Sequence, residues 1–568
     1  MRNIIYLFLI LLSACQSSPD EMADLVLVNG QIATVDANNP TAEAIAIKGD
    51  RLLKIGSNAD INALVGDNTQ TIDLKGNFAM PGIIEGHGHF SSLGSSLMNL
   101  NFLRSKSWKD IVAQVGGKAA TSKEGEWITG RGWHQEKWHD VLDRQVHGYP
   151  YHDDLSDVSP DNPVVLRHAS GHSIFANKKA MEIAGISKET PNPNGGEIVR
   201  DSRGEAIGVF EETAMSLISN AYQEYVATLS DDMKLEQWYQ AIDLAQEECL
   251  KKGITSFQDA GSSFKEIERY TKLAEDGEFD LRLWAMIGSR EENLAENLSK
   301  FPILNAGNHF FTCNSIKGYM DGALGAFGAW LLAPYEDKPD FVGQNVTPVE
   351  DIEAIAELAA KHNLQYCVHA IGDRGNREVL NIFENIFKKY PDREEFRWRI
   401  EHSQHIDPAD IPRFASLKVI AAMQAIHCTS DSPYVVKRLG EKRAREGAYP
   451  WRSLLDAGAV VTNGTDAPVE DVDPIESFYA SVTRKRLDNP IPFFPEQSMT
   501  REEALESYTL SNAYAAFEEK DKGSLEAGKL ADITVLSKNL LTCGEEEIMD
   551  SKVLYTIVGG EVKYQGDN

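Results

Sequence analysis

Short runs of apolar residues alternate with polar and helical segments through the middle of the chain. Strands of a parallel sheet are buried on both faces, so they read as continuous apolar runs rather than as alternating ones. Helical periodicity follows most of the runs, for example over residues 349–362 and 374–389. The runs occupy residues 82–85, 254–257, 281–286, 315–317, 365–368, 396–400, 419–423 and 460–463. Eight strand–helix repeats predict an α/β fold with a (β/α)8 TIM-type barrel.

The two ends of the chain carry a different pattern. Residues 23–77 form short β-like runs separated by turns such as Asn29-Gly30, and residues 523–568 repeat this style. They predict a small β-sandwich built from both chain ends, flanking a barrel of residues 78–522. Residues 95–250 lie between the first two barrel runs and are too many for a loop. We therefore expect an inserted subdomain after the first barrel strand.

Composition and net charge leave the predicted fold unchanged and exclude one class of partner. The chain has 568 residues, of which 42% are hydrophobic and 25% charged, as in folded globular proteins. Lysine and arginine total 56 against 86 aspartate and glutamate residues, a formal net charge of −30. A surface this acidic repels phosphate backbones, so we expect no nucleic-acid partner.

Residues 1–22 have the pattern of a lipoprotein-type export signal and a short tether. Arg2 precedes an apolar run that ends at Leu12, far shorter than the roughly 20 residues that span a bilayer. The junction Leu12-Ser13-Ala14-Cys15 resembles a bacterial lipobox, which implies a lipidated Cys15; an ordinary signal peptide is the alternative. Gln16 follows, and by the same resemblance the protein is exported and anchored on the periplasmic side of the outer membrane. The lipid anchor is the only membrane contact expected.

Candidate metal ligands stand at the ends of the apolar runs. His87 and His89 close the first run two residues apart, and side chains at i and i+2 of an extended segment point the same way. The carboxyl ends of barrel strands converge on one mouth, where catalytic groups lie. Nitrogen and oxygen ligands without cysteine suit Zn²⁺, with other divalent metals also compatible. The fourth, fifth, sixth and eighth runs end at Lys317, His369, His402 and Asp466.

Five motifs resemble those of a known family. The order of these motifs along the chain is similar to that of the amidohydrolase superfamily, in its YtcJ-like or amidohydrolase-3 branch, over nearly the whole mature chain. Glu85-Gly86 and Asn463-Gly464-Thr465 depart from the family's usual residues beside the ligands without removing one. The motifs are Met80-Pro81-Gly82 before His87-Gly88-His89, Lys317 with Asp321-Gly322, His369-Ala370-Ile371-Gly372-Asp373, Arg399-Ile400-Glu401-His402 and Asp466-Ala467-Pro468.

The resemblance implies a role for each ligand. His87 and His89 would bind one metal together with Asp466. Lys317 would be carboxylated by CO₂ and bridge to a second metal, whose other ligands are His369 and His402. An unmodified Lys317 beside a single metal is the alternative, and the sequence leaves both open.

The chemistry that follows is hydrolysis by a metal-activated water. A divalent metal lowers the pKa of bound water towards neutrality, and Asp466 can accept the proton and then pass it to the leaving nitrogen. The second metal, or His402 where there is only one, would polarise the scissile carbonyl. We therefore expect a metal-dependent hydrolase of amide-type C–N bonds outside peptide polymers, in N-acyl, N-formyl or cyclic amides, with Asp466 and His402 catalytic.

The substrate is expected to be a small molecule. His172 belongs to a segment that resembles a family segment reaching the barrel mouth, and Trp133, Asp321 and Gln424 are the other candidate substrate contacts. For Trp133 and Gln424, packing or a structural hydrogen bond is an equal alternative.

Other functions remain open from the sequence alone. Related barrels with one metal are deaminases that usually lack the lysine ligand, so a Lys317 far from the metal site would favour deamination. Esters and phosphoesters are also open to an activated water. A lipid-anchored binding protein with an inactive site is the non-enzymatic alternative. Barrels with large apolar flanks often pair, so a homodimer is a further expectation.

Overall fold

The structure of this chain is a computed structural model that describes residues 22–102, 105–135, 138–139, 142–168, 173–193, 196–290, 294–325 and 327–566. The backbone divides into two compact units, Phe90–Ala245 and the remainder of the chain. The first of these is the counterpart of the inserted subdomain expected over residues 95–250. Within the described residues, no helix combines the length and the apolar character needed to cross a membrane.

Strands of the described residues are numbered in chain order. They are β1 (Leu25–Val28), β2 (Gln31–Ala33), β3 (Thr41–Ala42), β4 (Ala44–Lys48), β5 (Arg51–Gly56), β6 (Gln70–Asp73), β7 (Phe78–Pro81), β8 (Ile83–Gly88), β9 (Leu100–Asn101), β10 (Ile128–Trp133), β11 (Val164–His168), β12 (Ser173–Ala176), β13 (Gly196–Arg200), β14 (Ala206–Glu212), β15 (Ile254–Ser262), β16 (Arg282–Gly288), β17 (Ile303–Asn305), β18 (Phe311–Tyr319), β19 (Gln365–Ala370), β20 (Arg399–His402), β21 (Ile420–Met423), β22 (Val461–Asn463), β23 (Ile533–Leu536), β24 (Val553–Val558) and β25 (Glu561–Gln565).

Helices are numbered in the same way. They are α1 (Asn58–Asn62), α2 (Phe90–Leu97), α3 (Trp108–Ala119), α4 (Asp153–Val158), α5 (Lys178–Ile183), α6 (Met215–Thr228), α7 (Asp231–Lys251), α8 (Phe264–Asp276), α9 (Leu294–Asn297), α10 (Ala306–His309), α11 (Val349–Lys361), α12 (Asp373–Lys389), α13 (Ile411–Leu417), α14 (Ala425–Leu439), α15 (Glu441–Gly447), α16 (Trp451–Asp456), α17 (Pro474–Thr483), α18 (Arg501–Ser507) and α19 (Leu510–Ala515).

The larger unit contains a nearly closed barrel of eight parallel strands. Its hydrogen-bonded order is β8-β15-β16-β18-β19-β20-β21-β22, so neighbours in space follow one another along the chain. Each of the eight apolar runs overlaps with one of these strands, and the two predicted helices correspond to α11 and α12. The predicted (β/α)8 barrel is confirmed.

Backbone hydrogen bonds join the first strand of the barrel to the segment after the last. The N–H of Asp466 donates to the carbonyl of His87 over 2.8 Å, and the N–H of His89 donates to the carbonyl of Ala467 over 2.7 Å. Because these bonds lie at the carboxyl ends of β8 and β22, they bring residues from the two ends of the barrel sequence to one point.

Two further sheets of the larger unit are built from both chain ends. One has the order β5-β4-β1-β6, and the other has the order β25-β24-β23-β7-β2-β3. In the second sheet β23 pairs antiparallel with β7, so that Val535 lies opposite Ala79. Side chains of both sheets share one hydrophobic core, which includes Leu27, Ile45 and Ile533.

The smaller unit has its own sheet and its own core. The strand order is β13-β14-β12-β11-β10-β9. Buried aromatic and aliphatic residues on both faces of this sheet, including Trp108, Phe175 and Phe210, belong to two hydrophobic clusters. A segment with a sheet and cores of its own agrees with the expectation that it is too long to be a loop.

Candidate metal centre

His87 and His89 lie at the end of the first barrel strand, with different surroundings. The side chain of His87 is 1% exposed and that of His89 is 31% exposed. The Nδ1–H of His87 donates to the carboxylate of Glu401, which leaves Nε2 without a hydrogen. Lys317 Nζ lies 3.3 Å from this Nε2 atom. The lone pair on Nε2 of His87 and the amine of Lys317 therefore lie next to each other in the centre.

Asp466 follows the last barrel strand and faces both histidines. Its Oδ1 atom lies 3.2 Å from Nε2 of His89 and 3.7 Å from Nε2 of His87. The Oδ2 atom lies 3.8 Å from Nε2 of His427. The backbone φ of Asp466 is 59°, in the left-handed region that most non-glycine residues avoid and aspartate tolerates better. The carboxylate is thus presented between two groups of imidazoles.

His369 and His402 come from the fifth and sixth barrel strands. Their ring centroids are 4.4 Å apart, and the ring of His402 lies 4.8 Å from that of His87. The Nδ1–H of His402 donates to Oε1 of Gln424 over 2.7 Å, so Nε2 of His402 carries a free lone pair. The Nε2 atom of His369 is buried and has no hydrogen-bond partner among the described residues.

Burial fixes the charge of these groups. It lowers the pKa of His87 to about 4 and that of His369 to about 3, and it also lowers the pKa of His402. Lys317 has a lowered pKa for the same reason. Although burial alone would raise the pKa of Asp466, the hydrogen bond from His89 and the nearby imidazoles hold it well below its usual range. The centre therefore combines neutral imidazoles with one carboxylate.

These side chains fit a divalent metal. A metal ligand must offer a lone pair, so histidine must be neutral and carboxyl groups ionised. His87, His89 and Asp466 bring ligand atoms within 4.8 Å of one another, and His402, His427 and Asp466 do the same. In addition, the Nε2 atom of His369 is buried without a hydrogen-bond partner among the described residues. Nitrogen and oxygen donors without a thiolate suit Zn²⁺ and other borderline divalent ions.

A buried ion pair supports the innermost histidine. Arg399 donates from Nε to Oε1 of Glu401 over 2.7 Å and from Nη2 to Oε2 over 3.0 Å. Although burial raises the pKa of Glu401, the charge of Arg399 and the contact with His87 lower it to about 2. An ionised Glu401 accepts from Nδ1–H, which fixes the tautomer of His87 that ligates through Nε2.

Glu85 connects the first strand to the loop that carries Asp466. It is fully buried, and its Oε1 atom accepts a hydrogen bond from the N–H of Thr465 over 2.5 Å. Burial raises the pKa of Glu85 to about 8. This departure from the family's usual residue thus acts on the backbone beside Asp466.

Two of the predicted substrate contacts have other partners in the structure. Asp321 is 2% exposed, and its carboxylate accepts backbone hydrogen bonds from Trp330, Ile371 and Gly372 over 2.8–2.9 Å. Gln424 is 1% exposed and accepts from His402. Asp321 thereby holds the loop after β19, and its Oδ1 atom lies 3.7 Å from Nε2 of His369. Gln424 orients the imidazole of His402.

The remaining predicted residues lie in the smaller unit or outside the described residues. Trp133 is fully buried in the core of the smaller unit, where its Nε1–H donates to the carbonyl of Leu166 over 2.8 Å. This position corresponds to the packing alternative for Trp133. His172 and the lipidation residue Cys15 lie outside the described residues.

The sequence analysis missed two residues of the centre. His427 lies in the first turn of α14, four residues after the seventh barrel strand ends at Met423. No ligand is predicted after that strand, although the ends of several other barrel strands carry predicted ligands. The place of His427 just after a barrel strand is therefore the one feature of the sequence that could have indicated it. Glu401 belongs to the Arg399-Ile400-Glu401-His402 motif, but nothing in the sequence indicates that it contacts His87.

Comparisons with known proteins identify the family of this chain. A family model described as the amidohydrolase family matches residues 70–564. The chain is 33% identical over 556 residues to Protein LONG AFTER FAR-RED 3 of Arabidopsis thaliana, covering 96% of this chain and 92% of that protein. It is 27% identical over 544 residues to putative amidohydrolase YtcJ of Bacillus subtilis strain 168, covering 94% and 98%. It is 25% identical over 555 residues to N-substituted formamide deformylase of Arthrobacter pascens, covering 96% and 99%.

A solved structure extends the likeness to three dimensions. The crystal structure of an uncharacterised metal-dependent hydrolase from Pyrococcus horikoshii OT3 superimposes with a TM-score of 0.72 at 25% identity. The match covers 92% of this chain and 99% of that chain.

Proposed function

We propose, from the premise that this chain belongs to the amidohydrolase family, that it hydrolyses an amide-type C–N bond in a small molecule outside peptide polymers. The observation that carries the proposal is the position of Asp466. Its ionised carboxylate lies 3.2 Å from His89 on one side and 3.8 Å from His427 on the other, beside a buried amine at Lys317. A base, neutral imidazoles and a lysine thus meet at the mouth of one barrel.

The donor atoms would hold metal in two groups. His87, His89 and Asp466 would hold one ion, and Lys317, His369 and His402 would hold a second. We propose Zn²⁺ for both, since the donors are nitrogen and oxygen. When bound, a divalent metal supplies a more acidic water and polarises the carbonyl of the substrate.

Asp466 would manage the proton of the reaction. Its carboxylate accepts a proton from water as the water oxygen forms a bond to the carbonyl carbon. When the C–N bond breaks, the same proton moves from Asp466 to the leaving nitrogen, so that water is divided between an acid and an amine. Asp466 suits this role because it is ionised, buried and close to both groups of histidines.

Lys317 would carry a carbamate. The nitrogen lone pair adds to CO₂ and the nitrogen loses a proton, so the amine must first be neutral. Burial lowers the pKa of Lys317, which favours that neutral form. The 3.3 Å distance to Nε2 of His87 places the amine inside the centre. This position favours a lysine-containing hydrolase over a deaminase that keeps its lysine away from the metal.

N-substituted formamides are the substrates to test first, because one relative, of which the match covers 99%, is named N-substituted formamide deformylase. We propose a panel of N-alkyl and N-aryl formamides, with 4-nitroformanilide as the chromogenic member. Release of the amine is expected from one or more formamides and is lost on chelation and restored by Zn²⁺. Turnover of only aminopurines would favour the deaminase, and turnover of only esters or phosphoesters would remove the C–N bond from the proposal.

We also propose that the protein is exported and lipidated at Cys15. This proposal depends on the sequence of residues 1–16, which resembles a lipoprotein signal. Expression of the full chain in a Gram-negative host should give a lipid-modified N-terminal cysteine in the outer-membrane fraction. Cys15→Ala should abolish the modification, and a soluble mature protein that begins at another residue would contradict the proposal.

A further inference from the structure

His427, in the first turn of α14, faces the centre but belongs to neither of the proposed metal groups. Its side chain is 9% exposed, and its Nε2 atom has no hydrogen-bond partner among the described residues. The ring is parallel to that of His402, with an interplanar angle of 8° and 6.1 Å between centroids. Nε2 points to the oxygen of Asp466 that faces away from His89, over 3.8 Å. A buried polar atom aimed into the site in this way needs a partner there.

Two glutamines give the parallel imidazoles opposite tautomers. Oε1 of Gln424 can only accept, so the bond to His402 requires hydrogen on Nδ1 and leaves Nε2 bare. The amide nitrogen of Gln404 can only donate, and it lies 2.9 Å from Nδ1 of His427. That bond requires a bare Nδ1, so the hydrogen of neutral His427 is on Nε2. His402 therefore presents a lone pair to the centre, whereas His427 presents an N–H.

A metal on Nε2 of His427 is opposed by the same contact. Ligation through Nε2 would move the hydrogen to Nδ1, where it would meet the amide hydrogens of Gln404. Two donors would then face each other within a buried contact, since Gln404 is 3% exposed. Such a contact leaves a buried polar group unsatisfied, which is unfavourable. His427 is thus unlike the other imidazoles of the centre.

We propose that His427 is a catalytic hydrogen-bond donor that binds the carbonyl oxygen of the substrate through Nε2–H. The inference rests on the proposed function and deepens it, since it names the group that meets the developing negative charge on oxygen. The sequence analysis expects His402 to polarise the carbonyl where there is only one metal. The present proposal gives that role to His427.

A fixed donor of this kind stabilises the transition state more than the ground state. Because the charge on the carbonyl oxygen grows as water adds, the hydrogen bond strengthens during the reaction. Loss of one such donor typically lowers kcat by about 10²–10³-fold. The metal should stay bound, because the N–H is no ligand.

The first test compares His427→Gln with His402→Gln. Metal content, the absorption spectrum of the Co²⁺-loaded protein, and kcat and KM on the formamide panel are measured for both variants and the wild type. His427→Gln should keep the metal content and Co²⁺ spectrum of the wild type and lose about 10²-fold in kcat, with KM changed much less. His402→Gln should lose metal and alter the spectrum. Loss of metal from His427→Gln, or an unchanged kcat, would overturn the proposal.

The second test exchanges each glutamine for a carboxylate of the same shape. Gln404→Glu replaces a donor by an acceptor, which moves the hydrogen of His427 to Nδ1 and removes the N–H from the site. It should lower kcat as His427→Gln does. Gln424→Glu keeps an acceptor beside Nδ1 of His402, so the Co²⁺ spectrum should be retained. If the two exchanges have the same effect on kcat and on the spectrum, the assignment of opposite tautomers to His402 and His427 is wrong.

A third measurement does not depend on turnover. In ¹⁵N-histidine-labelled wild-type protein, the resonances that vanish in His427→Gln should show a protonated Nε2 and a bare Nδ1. A bare Nε2 would overturn the inference. If the wild type hydrolyses no member of the panel, the proposed function fails while this spectrum still decides the tautomer of His427.

Discussion

Nε2 of His89 lies 3.2 Å from Oδ1 of Asp466, a contact between the segments that follow the first and last strands of the barrel. The backbones of the same two segments are hydrogen-bonded, so the contact is built into the closure of the barrel. Side chains that are distant in sequence are held at hydrogen-bond distance by the fold itself. The proposed proton carrier is therefore placed before any substrate binds.

Asp466→Asn removes the charge and the base while keeping the shape of the side chain. We expect kcat on the formamide panel to fall by about 10²–10⁴-fold, the usual contribution of a general base. Metal affinity should also decrease, because an amide oxygen is a weaker ligand than a carboxylate. Steady-state kinetics and metal analysis check both effects. Asp67→Asn, at an exposed position, is the matched control, and equal effects of the two substitutions would contradict the role of Asp466.

Glu401→Gln weakens the support of His87. The neutral amide no longer stabilises Nδ1–H as a carboxylate does and leaves Arg399 without its charged partner, so the orientation of His87 is less well fixed. Loss of such a supporting group typically costs about 10–100-fold in metal affinity. Competition with a chelator of known affinity measures the effect. Glu353→Gln on the exposed face of α11 should leave the affinity unchanged, and the account of Glu401 is wrong if the two variants bind metal equally well.

Trp133→Phe distinguishes packing from substrate contact. The substitution removes the hydrogen bond to the carbonyl of Leu166 from a buried site, which we expect to lower the free energy of unfolding by about 1 kcal/mol. Trp133→Ala would lower it by about 3–5 kcal/mol. Urea denaturation of the purified variants measures both values. KM should not change in Trp133→Phe, and a large rise in KM without loss of stability would support the predicted contact with substrate instead.

His405 makes stability depend on pH. It is 2% exposed, neither ring nitrogen has a hydrogen-bond partner among the described residues, and burial followed by the charge of Arg443 lowers its pKa from 6.5 to about 3. Between these values the unfolded chain binds one more proton than the folded chain. The contribution of this group is therefore complete above pH 6.5 and is lost as the pH falls towards 3.

His405→Phe should remove this dependence. Between pH 6.5 and about pH 3 the slope of the unfolding free energy against pH should be smaller in the variant by up to about 1.4 kcal/mol per pH unit. Urea denaturation of both proteins over this pH range gives the difference, in which all other titrating groups cancel. Equal slopes would show that His405 is protonated in the folded protein.

The barrel could be predicted from the sequence because its strands are buried on both faces. Runs such as residues 365–368 and 419–423 have no polar alternation, and each became a strand, β19 and β21. The family motifs at the strand ends led to the amidohydrolase superfamily and its YtcJ-like branch, and the comparisons confirm both. What a strand pattern cannot supply is the partner of each side chain.

The contacts within the centre show this limit. The sequence predicts Asp321 and Gln424 as substrate contacts, but only the structure shows that one accepts hydrogen bonds from three backbone N–H groups and the other accepts one from His402. His427 was not predicted because it lies on a helix of mixed polar and apolar residues, where a single histidine forms no recognisable pattern. The hydrogen-bond partner that sets its tautomer, Gln404, comes from a different strand end.

The central claim is that the centre binds divalent metal and uses it for hydrolysis. Metal equivalents per chain, measured with the intact mass under non-denaturing conditions on protein lacking residues 1–21, test it most directly. We predict two equivalents of zinc and the added mass of one CO₂, with the added mass lost in Lys317→Gln and amide turnover lost on chelation. One equivalent without added mass would contradict the carbamate. No bound metal after reconstitution, or turnover that survives in His87→Ala with His89→Ala, would contradict the claim itself.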